Sequence, residues 1–282
     1  MTATTQATQS SIHERSAAQN SSFWRIVRSE WIKLRSLRST FWSYAIVIVM
    51  SVGMAALSSL NSGFNNSGPM PAEQQAHVVA QSTMFGIYFG QLVIAVLGVL
   101  VISGEYSTGM IRSTLTAVPK RLPALWAKAV VLFTTTLVVG LVSTFGAILV
   151  AMPILAGKGI TARLTEPDVF LPPLYGALYL ALLSVFALGI GAMLRNSAGG
   201  IAAVLGILLL LSTLWSLIPG DWARDAMQYL FSNAGSNFFT AGGIGGGMGG
   251  GQLEAWQSLL VVLVWIAASL AGAALLLKRR DA

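Results

Sequence analysis

The chain has 282 residues, of which 55% are hydrophobic and only 10% are charged, and its mean hydropathy is +0.71. Soluble domains carry about 25% charged residues, so this composition excludes an ordinary soluble enzyme and also a disordered chain. The absence of cysteine excludes disulfides, thiolate metal sites and cysteine nucleophiles, and two histidines cannot build a histidine-rich metal site.

The first 22 residues are rich in Ser, Thr, Gln and Ala, and they are predicted to form a disordered tail. They are not predicted to be a cleavable signal peptide, because no apolar stretch occurs before Phe41. The remaining residues, 23–282, are predicted to form one transmembrane domain.

Residues Ser22–Arg38 predict an amphipathic helix that lies in the membrane interface. Two residues break the pattern, because Glu30 falls near the apolar side and Ile32 falls on the basic side. One interpretation is a basic anchor for the first transmembrane span. The other is a docking surface for a cytosolic partner, with Glu30 paired to that partner or to the loop after the second span. The apolar side comprises Phe23, Trp24, Ile26, Val27, Trp31, Leu34 and Leu37, and the basic side comprises Arg25, Arg28, Lys33 and Arg35.

Two charge-free apolar runs, Phe41–Leu60 and Met84–Ile102, predict the first two transmembrane helices. Each run is long enough to cross about 30 Å of hydrocarbon at about 1.5 Å per residue.

The segment Ser103–Lys128 is the longest predicted cytosolic loop. Glu105 lies where the second span leaves the membrane, and Gly109 permits a sharp turn. Met110–Ala117 is then predicted to form a short helix that Pro119 ends. A short apolar and basic helix of this kind fits a knob that enters a groove on another protein, or equally an interfacial helix that rests on lipid.

Four more apolar runs complete a prediction of six transmembrane helices and an all-α membrane fold. With the N-terminus inside, fourteen of the seventeen Lys and Arg residues lie on the cytosolic side. Both termini are therefore predicted to be cytosolic. This placement explains the net charge of +7, and nucleic-acid binding is disfavoured. The four runs are Ala129–Ala156, Phe170–Leu194, Ala198–Ile218 and Ala255–Leu277.

The loop after the second span resembles the cytosolic signature of ABC-2-type permeases, which have the type V exporter fold. In that signature a glutamate is followed by a glycine four residues later, and then by an arginine, a leucine, a proline and a basic residue. The segment Ser29–Thr40 is similar to the stretch before the first span in actinobacterial members. The matching residues of the loop are Glu105, Gly109, Arg112, Leu115, Pro119 and Arg121.

The resemblance implies a complex of two permease subunits and two copies of a separate ABC ATPase. The second permease is another copy of this chain or a related one. The loop, including Met110, is expected to be the coupling helix that enters a cleft on the ATPase. The substrate path is expected to run between the permeases, mainly along the first, second and fifth helices. The interfacial helix is expected to touch the ATPase and membrane lipid through Trp24, Arg28, Glu30, Trp31, Lys33 and Arg35.

The resemblance also implies that the connection between the fifth and sixth spans, Pro219–Glu254, folds back as short re-entrant helices. The apolar stretch Met227–Phe231 and the pair Phe238–Phe239 fit this expectation. The glycine-rich run Gly242–Gly251 does not fit a helix, so the second half of the feature is predicted to be a loop.

No Walker A sequence occurs, so the chain is predicted to lack a nucleotide site of its own, and ATP and Mg²⁺ are expected in the partner. No cofactor, metal site or catalytic residue is predicted in the chain itself. The predicted spans contain no ionisable residue, which disfavours a gradient-driven carrier and favours amphipathic or lipid-like cargo. The predicted function is the permease of an ATP-driven exporter. The alternative is a membrane anchor or sensor that recruits a cytosolic partner without transport.

Overall fold

A computed structural model of the chain describes residues 23–62, 71–110, 121–240 and 253–279. Within these residues the secondary structure is helical, and the predicted all-α fold is confirmed. The helices are α1 (Phe23–Ser36), α2 (Arg38–Asn61), α3 (Ala72–Ser107), α4 (Arg121–Ala156), α5 (Pro167–Leu194), α6 (Ser197–Trp215), α7 (Asp221–Met227), α8 (Phe231–Phe239) and α9 (Ala255–Arg279).

The six helices α2, α3, α4, α5, α6 and α9 are long and apolar enough to span a membrane, which confirms the predicted number. Helices α3 and α4 have 36 residues each, so each is about 54 Å long and exceeds the roughly 30 Å of the hydrocarbon core. Because these helices continue past their apolar runs, Glu105 and Lys128 lie within helices.

Two predicted helix boundaries were wrong. The interfacial helix ends at Ser36 and a new helix begins at Arg38, because Leu37 adopts an extended backbone between them. Helix α6 ends at Trp215, before the predicted Ile218. Pro219 follows closely, and Gly220 has a φ of +128°, so the chain leaves the helical conformation here. A π-helical turn, Gly206–Leu210, lies within α6.

Helix α5 is the centre of the bundle and is buried on nearly every side between Tyr179 and Ala192. It contacts α3, α4, α6, α8 and α9. Small residues allow this close packing. A Cβ at Gly98 of α3 would lie 2.6 Å from the carbonyl oxygen of Ser184, so α3 and α5 approach as closely as their backbones allow.

The described part of the connection between α6 and α9, up to residue 240, contains two short helices, α7 and α8. The ring of Phe231 at the start of α8 stacks on Phe186 at 4.3 Å, and Phe238 near its end lies 5.0 Å from Tyr175. Because Phe231 contacts Phe186 while Phe238, later in the chain, contacts the earlier residue Tyr175, α8 runs antiparallel to α5. The turn before α8 is held where Trp265 of α9 donates a hydrogen bond to the carbonyl oxygen of Tyr229. The predicted loop at Gly242–Gly251 lies outside the described residues.

The connection between α4 and α5 covers the end of α2. The ammonium group of Lys158 donates hydrogen bonds to the carbonyl oxygens of Leu60, at 2.6 Å, and Ser62, at 2.8 Å. Carbonyls at a helix C-terminus lack partners within the helix and carry partial negative charge. Lys158 therefore caps α2 at the end of the bundle opposite to α1.

Candidate functional site

Helix α1 packs against α4 through one narrow stripe. The buried residues of this helix are Ile26, Glu30 and Leu34, which are four residues apart and so share one face. Trp24 and Trp31 are 74% and 46% exposed. The tryptophans therefore lie on a flank next to the buried stripe, within the predicted apolar side of the helix.

That exposed flank combines aromatic and basic side chains. Trp24, Arg28, Trp31 and Arg35 follow one another at spacings of four, three and four residues, and all four are exposed. At 100° per residue they occupy one side of α1. Tryptophan next to arginine is typical of helices at the level of lipid headgroups.

Four charged side chains meet where α1 lies across the ends of α3 and α4. The Nζ atom of Lys128 is 2.5 Å from Oε2 of Glu30 and 2.8 Å from Oε1 of Glu105. The Nζ atom of Lys33 is 2.7 Å from Oε1 of Glu30 and 3.2 Å from Oε1 of Glu105. We refer to Glu30, Lys33, Glu105 and Lys128 as the charge cluster. It joins α1, α3 and α4, and its two carboxylates balance its two ammonium groups.

Three members of the charge cluster are almost fully buried, since Glu30, Glu105 and Lys128 are 3%, 8% and 5% exposed. Burial raises the pKa of Glu30, but the ammonium groups of Lys128 and Lys33 lower it by more, so the pKa lies below its ordinary value of 4.5. Burial lowers the pKa of Lys33, but Glu30 and Glu105 outweigh this effect, so that pKa lies above 10.5. Glu30 and Lys33 are therefore both charged at neutral pH.

The position of α1 depends on every residue of the charge cluster. Burying an ion pair gains little over apolar packing, but removing one partner leaves a charge unpaired and costs about 3–5 kcal/mol. The buried stripe of α1 has few apolar residues, so the ion pairs supply much of its specific docking. Movement of the ends of α3 and α4 would therefore be passed to α1.

A second contact braces the same end of α3. The hydroxyl groups of Ser103 and Ser197 are 2.9 Å apart, and the guanidinium group of Arg195 lies 5.2 Å from the ring centre of Tyr106. The end of α3 is thus fixed by α1 and α4 on one side and by the turn between α5 and α6 on the other.

The described part of the predicted coupling loop begins directly after α3. Gly109 has a φ of +73°, a left-handed conformation that favours glycine, so the predicted sharp turn is present. Met110 is 47% exposed. Arg121 begins α4, and its side chain is not described. Three predicted coupling residues, Arg112, Leu115 and Pro119, lie outside the described residues.

Of the two interpretations of this helix, the docking surface gave Glu30 an ion pair, with a partner protein or with the loop after the second span. The pair is made with Lys128, the last residue of that segment and, in the structure, part of α4. Lys128 itself was not predicted as a site residue, because a lysine just before an apolar run usually extends to the membrane surface. The available signal was that Glu30 and Glu105 both needed a buried cation.

The comparisons with known proteins give one family. A family model described as an ABC-2 family transporter protein matches residues 26–212, about two thirds of the chain. The match begins within α1 and ends within α6, so it includes all four members of the charge cluster. No curated protein matches the chain.

Proposed function

Since this chain belongs to the ABC-2 transporter family, whose members are membrane permease components that work with an ABC ATPase, we propose that it is the permease subunit of an ATP-driven exporter. In this proposal ATP binding and hydrolysis take place in a separate subunit, which also holds Mg²⁺. The observation that carries the proposal is the charge cluster, which ties α1 to both helices that flank the predicted coupling segment 111–120.

The α1 end of the bundle faces the cytosol in this proposal, within a bacterial cytoplasmic membrane. Support comes from the distribution of charge. Four exposed or partly exposed arginines, Arg25, Arg28, Arg35 and Arg38, lie on or beside α1. The opposite end carries three basic residues, Lys158, Arg163 and Arg224, and five acidic ones, Glu166, Asp168, Asp221, Asp225 and Glu254. Basic residues accumulate on the cytosolic side of membrane proteins.

The charge cluster is proposed to transmit movement. The ATPase would bind the segment between Gly109 and Arg121, and its closure would displace the adjoining ends of α3 and α4. Because Glu105 and Lys128 lie at these ends and contact Glu30, α1 would move with them as one body. The exposed flank of α1 would keep this body at the membrane surface, against lipid and the ATPase.

A second permease is proposed to pack against the least buried spans, α2 and α6. In the single chain both helices expose long apolar side chains, including Phe41 and Val49 on α2 and Leu209 and Leu214 on α6. The substrate path would lie at this interface, whether the second permease is identical or related. Its apolar walls suit amphipathic or hydrophobic cargo such as a drug, an antibiotic, a peptide or a lipid.

Co-purification is the first test. The full-length tagged chain would be extracted from its native membrane with mild detergent, and the proteins that accompany it would be identified by mass spectrometry. We expect a stoichiometric ATPase with Walker motifs. A chain that brings only a non-ATPase protein, under conditions that keep a known transporter of this family intact, would overturn the exporter proposal in favour of an anchor or sensor.

Coupling is tested on the purified complex in vesicles. We expect Glu105→Gln to insert normally but to lower the permease-dependent part of ATP hydrolysis, because the end of α3 would lose its ion pairs to α1 and α4 and would no longer move with them. Arg224→Met, which removes an exposed ion pair at the opposite end, is the control. Equal ATP hydrolysis in the Glu105→Gln, Arg224→Met and unmodified complexes would remove the proposed role of the charge cluster.

A further inference from the structure

Gln91 places a polar side chain near the middle of a transmembrane span. It lies two residues from the centre of the apolar run Met84–Ile102 of α3, which is about 3 Å along the helix axis. A polar group at this depth is costly unless it is hydrogen-bonded, because the hydrocarbon core contains no water. Thr134 and Thr144 on α4 meet this requirement, because the hydroxyl group of each donates to a carbonyl oxygen of its own helix.

The amide of Gln91 is satisfied at its oxygen but not at its nitrogen. Its Oε1 atom accepts a hydrogen bond of 2.7 Å from the hydroxyl group of Tyr179 on α5. Tyr179 is fully buried, so its hydroxyl group needs an acceptor, and this need fixes which end of the amide faces it. The Nε2 atom makes no hydrogen bond with a described residue and retains accessible surface. Two amide hydrogens are therefore available to a molecule outside the chain.

Two exposed aromatic rings continue from Gln91 toward the end of the bundle opposite to α1. Phe85, Tyr88 and Gln91 follow one another at spacings of three residues and form one ridge on the surface of α3. We refer to these three residues as the α3 ridge. Phe85 and Tyr88 are 45% and 41% exposed. The ring of Tyr88 makes an edge-to-face contact with Phe239 of α8, with ring centres 5.2 Å apart, so α8 supports one edge of the ridge.

The α3 ridge lies beside α6, one of the spans that border the proposed substrate path. At 100° per residue, Val99 falls on the same side of α3 as Phe85 and Tyr88. Val99 packs closely on α6, since a Cβ at Gly200 would lie 2.6 Å from its Cγ1 atom. A molecule in the proposed path would therefore meet the ridge where α3, α6 and α8 come together.

The groups of the α3 ridge define which molecule fits. Because Nε2 is a donor, the molecule must present an acceptor oxygen. The predicted spans carry no ionisable side chain, so a charged molecule would lack a counter-ion at this depth. The exposed rings of Phe85 and Tyr88 favour an aromatic molecule, since ring pairs add stabilisation beyond buried area. The ester carbonyls of phospholipids lie at the edge of the hydrocarbon core, about 15 Å from its middle, and are too far from Gln91.

We propose that the α3 ridge binds cargo that is uncharged and aromatic and carries a carbonyl group, which accepts a hydrogen bond from Nε2 of Gln91. The ring of the cargo packs on Phe85 and Tyr88. Tyr179 is a positioning residue, because its hydroxyl group holds the amide with the nitrogen toward the cargo. The inference rests on the proposed function, which makes the bound molecule cargo. Binding is measured on the permease without ATP, so failure of binding and failure of transport are distinguishable.

The test uses photolabelling of the full-length chain in lipid vesicles. The probe is a phenyl ring that carries a diazirine and a butanoyl group, and the matched probe has a CH₂ group in place of the carbonyl. Labelled peptides are identified by mass spectrometry. Labelling of the ridge is divided by labelling of the exposed side of α4, which corrects for the concentration of each probe in the bilayer.

We expect this ratio to be about two- to tenfold higher for the ketone, because the hydrocarbon probe accepts no hydrogen bond. Equal ratios for the two probes in the unmodified chain would overturn the proposal, whether or not any variant folds.

Two glutamine variants locate the donor. Gln91→Met keeps the length of the side chain but removes the amide, and it should lower the ratio for the ketone to that for the hydrocarbon. Gln81→Met is the matched control, since Gln81 is an exposed glutamine of the same helix about 15 Å away, and it should keep the preference. Thermal unfolding shows which variants are folded. An undiminished preference in a folded Gln91→Met chain, or equal losses in both variants, would overturn the proposal.

Tyr179→Phe tests how the amide is held. Without the hydroxyl group, the amide of Gln91 has no reason to prefer one of its two orientations. The preference for the ketone should therefore fall by about twofold, the loss when half of the molecules are competent to bind. A folded Tyr179→Phe chain with a lower melting temperature but an unchanged preference would overturn the positioning role of Tyr179.

Discussion

At the α1 end of the bundle, charged side chains join helices from within, whereas at the opposite end they cap a helix or lie on the surface. Three of the four members of the charge cluster are almost fully buried, and its four ion pairs, one of them within α1, link three helices. At the opposite end, the ion pair of Arg224 and Asp221 is short, at 2.6 Å, but its side chains are 66% and 91% exposed and lie three residues apart on α7. The distance between the charged atoms alone therefore does not show how much an ion pair contributes to stability.

The difference concerns what happens when one partner is removed. Water replaces the lost partner of an exposed charge, so an exposed pair contributes about 0–1 kcal/mol. A buried charge has no such replacement, and its neighbours must move or the group must become neutral. At the α1 end, therefore, displacement of one helix forces the helices that are paired with it to move as well.

The largest expected effect is that of Lys128→Met. The substitution keeps the length of the side chain and leaves Glu30 with only Lys33, and it removes the strongest partner of Glu105. We expect the free energy of unfolding to fall by about 3–5 kcal/mol, as for other buried pairs that lose one partner. Thermal unfolding in detergent, followed by tryptophan fluorescence, measures the loss.

A double variant sharpens this result. Lys128→Met together with Glu30→Gln removes one positive and one negative charge and restores the balance, so part of the lost stability should return. If the double variant were as unstable as the sum of both single variants, the two residues would act independently and the charge cluster would not be a unit.

The next largest effect is expected from acid, which should reduce the stability that Glu30 contributes at the α1 end. The pKa of Glu30 is lower in the folded chain than its ordinary value of 4.5, so its charge contributes stability above about pH 4.5, and this contribution is lost as the pH falls through the folded pKa. We expect the difference in melting temperature between the unmodified chain and Glu30→Gln to shrink between pH 7 and pH 3. A difference that does not change with pH would mean that the carboxylate charge contributes nothing.

The number and order of the spans could be predicted from the sequence, because a bilayer imposes a minimum length on every apolar run. The ends of α3 and α4 could not, since polar residues such as Glu105 and Lys128 continue a helix as readily as apolar ones. An apolar run shows which part of a helix crosses the membrane, but not where the helix ends. Glu105 and Lys128 of the charge cluster lie in the polar extensions of α3 and α4, beyond their apolar runs.

The site was predictable only in part, for a related reason. An ion pair of Glu30 was part of one of the two interpretations of α1, because a carboxylate on an apolar helix face needs a partner. The turn at Gly109 was predicted because glycine tolerates a positive φ. Lys128 and the site at Gln91 depend on how helices distant in sequence pack together. The division of α1 into a buried stripe and an aromatic flank depends on the same packing, since the periodicity alone places all its apolar residues on one side.

A smaller effect is expected at the opposite end for Lys158→Met. The substitution removes the ammonium group that donates to the carbonyl oxygens of Leu60 and Ser62 at the end of α2. Because water can reach these carbonyls, we expect a loss of about 1.5 kcal/mol, the lower end of the range for hydrogen bonds to a charged group. Thermal unfolding gives the value, and a loss as large as that of Lys128→Met would show that the two ends do not differ.

The smallest effect is expected for Arg224→Met. The side chains of Arg224 and Asp221 are both largely in water, so the loss should be at most about 0.5 kcal/mol, within the spread of ordinary surface substitutions. The comparison with Lys128→Met is direct, since both variants replace a paired cation by methionine and both pairs are shorter than 2.8 Å. A loss of several kcal/mol at Arg224 would indicate that the exposed face of α7 is covered in the assembled protein, where it would be the counterpart of the buried cluster at the α1 end.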